Sequence, residues 1–86
     1  MAFEGEELKF PLHCYYKIIA EDIAGMEFII ETTLLELHVK SPLIKGNLSA
    51  GGKYATYNVE VLVPSKEKMD AIDAALRSIK GVRMVL

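Results

Sequence analysis

Polar and apolar positions alternate from Tyr54 to Val63. Ala55, Tyr57, Val59, Val61 and Val63 fall on one side, and Tyr54, Thr56, Asn58, Glu60 and Leu62 on the other. A period of two predicts a strand whose first set faces a core. Leu12–Ala20 is rich in aromatic and β-branched residues and holds no breaker, so it reads as another strand. Phe10-Pro11 marks its entry, because proline keeps the residue before it extended. From Asp22 the period lengthens. Ile23, Met26, Ile30, Thr33 or Leu34, and Leu37 recur at steps of three and four, which is a helical stripe. Asp22 is the expected N-cap, and Gly25 weakens the first turn by about 1 kcal/mol relative to alanine.

Part of Val39–Ala50 is expected to be a strand, with Pro42 favouring the sheet edge. Gly51-Gly52 is a two-residue hairpin signal, because glycine takes the positive φ such turns need. Pro64-Ser65 ends the long strand and opens a helix with Ser65 as N-cap. Met69, Ile72, Leu76 and Ile79 make its buried stripe, Gly81 is the expected C′ residue, and Val82–Leu86 is the last strand. Two right-handed crossovers then place four antiparallel strands in the order 4-1-3-2, with both helices on one face. The expectation is an α+β ferredoxin-like βαββαβ sandwich. Residues 1–9 form a polar arm, and residues 10–86 form the single domain. The sheet face away from the helices is left bare.

Composition bears more on function than on fold. A chain of 86 residues has room for one core and little material for a deep cleft. Apolar residues at 51% and charged residues at 26% suit a globular protein rather than a disordered one. A net charge of -2 lacks the basic excess that drives phosphate binding. Tyrosines on an open sheet suggest RNA-recognition motifs, but the third strand carries no aromatic-rich basic motif. No nucleic-acid partner is expected. The single Cys14 excludes an internal disulfide and a cysteine metal cluster. The acidic start lacks the basic and apolar regions of a signal peptide. No apolar run approaches the roughly 18–20 residues of a membrane span. The expectation is a cytoplasmic protein without membrane contact.

Candidate chemistry is sparse. His13 and His38 are the only histidines, and zinc needs three or four ligands. His13 and Cys14 are adjacent on a strand and point to opposite faces, so ordinary surface or half-buried roles are preferred for both histidines. A nucleophilic Cys14 would need a nearby base and an electropositive setting; a core cysteine is the simpler reading. No Gly-x-Ser-x-Gly elbow and no Gly-Lys-Ser/Thr phosphate loop occurs. No catalytic residue, metal or cofactor is expected, and the chain is not read as an enzyme. Asp73 and Arg77 are spaced as a solvated i,i+4 pair.

On the bare face, Tyr15, Lys17 and Ile19 should stand beside Tyr54, Thr56, Asn58 and Glu60, with Arg83 and Val85 from the last strand. Lys17 and Arg83 on neighbouring strands would suit a carboxylate ligand. The plainer and preferred reading pairs Lys17 with Glu60 across strands, for about 0.2–1 kcal/mol. Phe28 and Leu35 share a face of the first helix nearly opposite Ile30 and Leu37. They mark either a subunit or partner contact or residues half-buried in the domain.

Phe10-Pro11, Tyr16-Lys17-Ile18-Ile19, Ser49 with Gly52-Lys53-Tyr54, and above all the terminal Val82-Arg83-Met84-Val85-Leu86 carry a resemblance. From about residue 10 onward the chain resembles the YbeD-like family, small bacterial proteins described as lipoate-binding regulatory proteins. Ala20 departs from that pattern, where glycine is frequent. Ala50 and Gly51 also depart, where a second serine and a basic residue are common. The resemblance implies a fold close to the ACT domains, which bind small metabolites and regulate enzymes. It points to a regulatory or binding module that senses a small carboxylic acid such as lipoate or regulates a partner enzyme. The alternative is a purely structural protein–protein interaction domain. Lys17, Ser49, Gly52, Tyr54 and Arg83 are the ligand-binding candidates, and Phe28 and Leu35 the interface candidates. The expected partners are a small carboxylate and either a second copy or a partner enzyme.

Overall fold

The computed structural model describes residues 9–49 and 51–86. Apart from Lys9, the expected polar arm lies outside the described residues, as does Ala50. The elements are β1 (Leu12–Glu21), α1 (Met26–Glu36), β2 (Ile44–Leu48), β3 (Tyr54–Val63), α2 (Lys66–Arg77) and β4 (Val82–Val85). The sheet runs β2-β3-β1-β4 with every neighbouring pair antiparallel. This is the ferredoxin-like order expected from the sequence.

The β1–β3 ladder keeps one register from Leu12 opposite Val63 to Glu21 opposite Tyr54. Unbroken alternation in both strands allows it, because a slip of one residue would turn every apolar side chain to water. Ala55, Tyr57, Val59, Val61 and Val63 are all buried, as are Tyr16, Ile18 and Ala20 of β1. They meet Met26, Ile30 and Leu34 of α1 and Ile72 and Leu76 of α2. Cys14 packs half-buried against the edge of this core, while His13 is exposed.

The structure departs from the sequence pattern at several local points. α1 begins at Met26, not after Asp22, and Gly25 is its cap at φ 86 with no side-chain bond. Asp22 is engaged elsewhere: it accepts from Lys45 Nζ at 3.0 Å and its N–H donates to Lys53 O at 2.8 Å. Ile23 consequently drops out of the stripe and is exposed. At the other end His38 takes the left-handed C′ position at φ 63. Its N–H donates to Leu35 O and that of Val39 to Leu34 O, both at 2.9 Å, which is the Schellman pattern that usually employs glycine. α2 starts as expected, with Ser65 Oγ accepting from Lys68 N at 3.1 Å. It is capped at Ser78 rather than before Gly81. Gly81, at φ 98, belongs to the turn into β4.

The β2–β3 hairpin is longer than two residues. Ser49 N–H donates to Tyr54 O at 2.7 Å, and Tyr54 N–H donates back to Ser49 Oγ at 3.1 Å, closing a loop that contains Gly52 at φ 71. In β4 a bulge at Arg83 leaves Met84 opposite Ile19 and Val82 opposite Ala20. The extra residue inverts the expected facing at the strand end. Val85 therefore lies in the core, 3% exposed, instead of on the bare face.

Candidate functional site

The structure gathers four of the five ligand-binding candidates at one end of the sheet. Ser49, Gly52 and Tyr54 form the β2–β3 turn, and Arg83 lies over the Tyr54 ring at 5.9 Å, with Lys53 Nζ at 5.6 Å. Their hydrogen-bonding capacity is largely engaged within the domain. The Ser49 hydroxyl holds the Tyr54 amide, the Gly52 N–H donates to Ser49 O, and Arg83 Nη2 donates to Glu21 Oε2 at 2.9 Å. Lys17 stands apart. It lies opposite Asn58 and exchanges backbone hydrogen bonds with Leu86. It is four residues along β1 from Glu21, roughly 13 Å at about 3.3 Å per residue. Lys17 and Arg83 therefore do not converge. The expected Lys17–Glu60 pair is also absent, because Glu60 accepts from His13 Nδ1 at 2.9 Å.

A second grouping has no counterpart in the sequence pattern. A cleft of about 570 Å³ opens where α1 ends, between the strap that follows it and the start of α2. Its apolar lining comes from Pro11, Val39, Val61, Leu62 and Pro64, and His38, Lys40, Ser41 and Lys68 supply its polar atoms. No carboxylate lines it, and neither lysine is in an ion pair among the described residues. Lys68 Nζ donates to Leu37 O, one of the terminal carbonyls of α1. An ammonium has three donors, so it keeps capacity for a ligand. Four separate segments build this cleft, and no spacing in the chain announces it. The non-glycine residue at a left-handed position, His38, is visible only in the fold.

Phe28 and Leu35 are not half-buried. They are 71% and 60% exposed and border a groove of about 320 Å³ together with Glu31, Thr32, Leu34 and the strap Val39–Pro42. The strap thus separates the basic cleft from an apolar groove. Among the described residues no cluster of three His, Cys, Asp or Glu side chains is placed to hold a metal. No helix there is long and apolar enough to cross a membrane.

Two core tyrosines have perturbed hydroxyls. Burial pushes Tyr16 up to about 12, helped by Cys14 beside it and by Asp73 and Asp70 of α2. Burial also raises Tyr57, where Lys45 opposes the effect and Asp22 and Glu27 reinforce it. Neither faces the basic cleft.

Comparisons with known proteins agree with this architecture. The UPF0250 protein of Pseudomonas putida is 27% identical over 85 residues, covering 96% of this chain and 93% of its own. The solution structure of protein HP0495 from Helicobacter pylori superposes with a TM-score of 0.77 at 18% identity, over 93% of this chain and 86% of that one. The ACT domain from GTP pyrophosphokinase of Chlorobium tepidum gives 0.66 at 23% identity, over 87% and 95%. These two likenesses concern the fold. The model of a family described as a protein of unknown function, DUF493, matches residues 5–86, and the chain belongs to that YbeD-like family.

Proposed function

We propose that this chain is a non-catalytic regulatory module that binds a small carboxylic acid. The observation that carries the reading is the cleft of about 570 Å³, with Lys40, Lys68 and His38 beside an apolar wall and no carboxylate among its lining residues. Such a lining suits an acid with an apolar body: the ammonium groups meet the carboxylate, and Val39, Val61 and Leu62 meet the remainder. His38 adds support. A non-glycine residue at φ 63 costs stability, and strained positions of this kind concentrate at functional sites.

A thermal-shift screen against lipoate, octanoate and the amino acids tests the reading. A ligand that binds only the folded chain raises the melting temperature. The shift should vanish in Lys40→Glu and shrink in His38→Gly, which keeps the C′ geometry while removing the imidazole. No shift with any acid, or a shift that both variants retain, counts against the cleft.

A second reading is a protein–protein interaction domain, and one observation favours it: the exposed Phe28 and Leu35 on α1. Sedimentation of Phe28→Glu beside the parent protein over a range of concentrations tests whether a second copy covers them. The ACT domain cited above comes from an enzyme chain, which accords with either reading as a device that acts on a partner enzyme.

A further inference from the structure

We infer that the outer face of α1 is a docking surface for a basic amphipathic helix of a partner protein. The inference rests on the interaction-domain reading and specifies the partner's chemistry. α1 turns Met26, Ile30 and Leu34 into the core. At 100° per residue, Phe28, Thr32 and Leu35 then follow one another along the opposite side. Phe28 and Leu35 are the apolar anchors of that stripe, and the groove beside them reaches down to Leu34 and Val39. Anchors one heptad apart beside an apolar groove match the way a helix seats its own i, i+3, i+4 and i+7 side chains.

Charge selects the partner. The same helical geometry places Glu31 on one flank of the stripe and Glu36 on the other. Glu27 adds a third carboxylate in the first turn, and α1 contains no basic residue. None of the three is in an ion pair among the described residues. Lys40 stands at the groove rim beyond the end of α1. A second copy of α1 laid on this face would bring glutamate against glutamate, and unmatched like charges reject a partner. A helix with lysine or arginine beside its apolar stripe meets both flanks favourably, and complementarity of this kind sets both specificity and encounter rate.

The test is fluorescence anisotropy with three labelled peptides on the full chain. One is an amphipathic leucine–lysine helix, one has the same pattern with glutamate for lysine, and one keeps the leucine–lysine composition but scrambles the pattern. The first should bind and the others should not. Phe28→Ala with Leu35→Ala should weaken binding about tenfold or more, as loss of interface anchors does. Glu31→Lys with Glu36→Lys should transfer preference to the glutamate peptide. Glu60→Lys, remote on the open sheet face, should change nothing. Equal binding of the scrambled peptide, or equal weakening by Glu60→Lys, overturns the inference in favour of unspecific charge attraction. A concentration-dependent mass of the parent protein that Phe28→Glu abolishes would make a second copy the occupant. That result sinks this inference while the interaction-domain reading survives. No peptide binding together with an unchanging mass removes both.

Discussion

The two helices lie side by side on one sheet and differ in how completely the domain uses them. α2 has its N-terminal amide held by Ser65, and two ion pairs along its surface, Lys66–Asp70 and Asp73–Arg77, both at 2.9 Å. Arg77 also donates to Val85 O at 2.8 Å and so joins the helix to the edge strand. Its large apolar residues, Met69, Ile72 and Leu76, lie on the core side. α1 starts from Gly25 with no side-chain cap, carries three glutamates outside any ion pair among the described residues, and is apolar on both sides. Packing α1 inward explains Met26, Ile30 and Leu34 and leaves Phe28 and Leu35 without a purpose inside the domain. The difference separates what folding requires from what remains for a partner.

The comparison first requires that the inner faces be equivalent. Ile30 and Ile72 are each 0% exposed, one on each helix. Ile30→Ala and Ile72→Ala should each lower the unfolding free energy by about 2–4 kcal/mol, through lost transfer energy and the cavity left behind. Urea unfolding followed by circular dichroism measures both. A cost below about 1 kcal/mol at Ile30 alone would mean that α1 is loosely docked and that its outer face is not a defined surface.

Alkali probes the region under α2. Tyr16 lies against that helix, with its hydroxyl 3.5 Å from Met69 O. Its folded pKa of about 12 lies above the unfolded value of 10.0. Between those values the folded state holds the proton more often than the unfolded state does. The contribution of Tyr16 is therefore fully present below about pH 10 and is lost as pH rises toward 12, on the order of 2 kcal/mol. Tyr16→Phe should flatten that loss in urea titrations run at successive alkaline pH values. An unchanged alkaline slope would show that Tyr16 titrates like a solvated phenol and that α2 does not cover it.

The helix starts come next in size. Ser65→Ala should cost about 1 kcal/mol through loss of the cap. By sequence logic Gly25→Ser should help, because it supplies the cap that α1 lacks. It should instead destabilise by about 1–2 kcal/mol, because φ 86 is a left-handed backbone that serine adopts at a penalty. Thermal melts of both variants decide it. A higher melting point for Gly25→Ser would show that the turn before α1 can rearrange.

That pair of starts also shows what the sequence makes legible. Ser65 is a local cap, fixed by the residues that follow it, and so it was readable. The same holds for the alternation of β3 and for Pro42 just before an edge strand, because each is a short-range pattern. The start of α1 is not legible in this way, because Asp22 is claimed by Lys45, which is distant in the chain and brought near by the sheet. Val85 departs from simple alternation because one bulge at Arg83 inverts the facing beyond it. Glu60 lies opposite Tyr15, with His13 and Lys17 both two residues away on the same face, and it pairs with His13; alternation gives the face and leaves the choice between the two diagonals open. The cleft is the extreme case. Pro11, His38, Lys40 and Lys68 share no periodicity, and only the closed fold brings them together. The exposure of Phe28 and Leu35 was half-legible: their spacing gave the face, and only packing showed it to be uncovered.

The smallest effect is the sharpest test of the contrast. Phe28→Ala removes an aromatic ring that is 71% exposed. It should change the unfolding free energy by no more than about 0.5 kcal/mol, the usual range for surface substitutions. Leu76→Ala on α2, at 0% exposure, should cost several times that, about 2–5 kcal/mol. A large residue whose removal leaves stability untouched does not serve the fold, so any loss of partner binding in Phe28→Ala can be assigned to the contact itself. If Phe28→Ala instead costs as much as a core truncation, the ring is covered within the domain in solution. The asymmetry between the two helices would then be one of degree only.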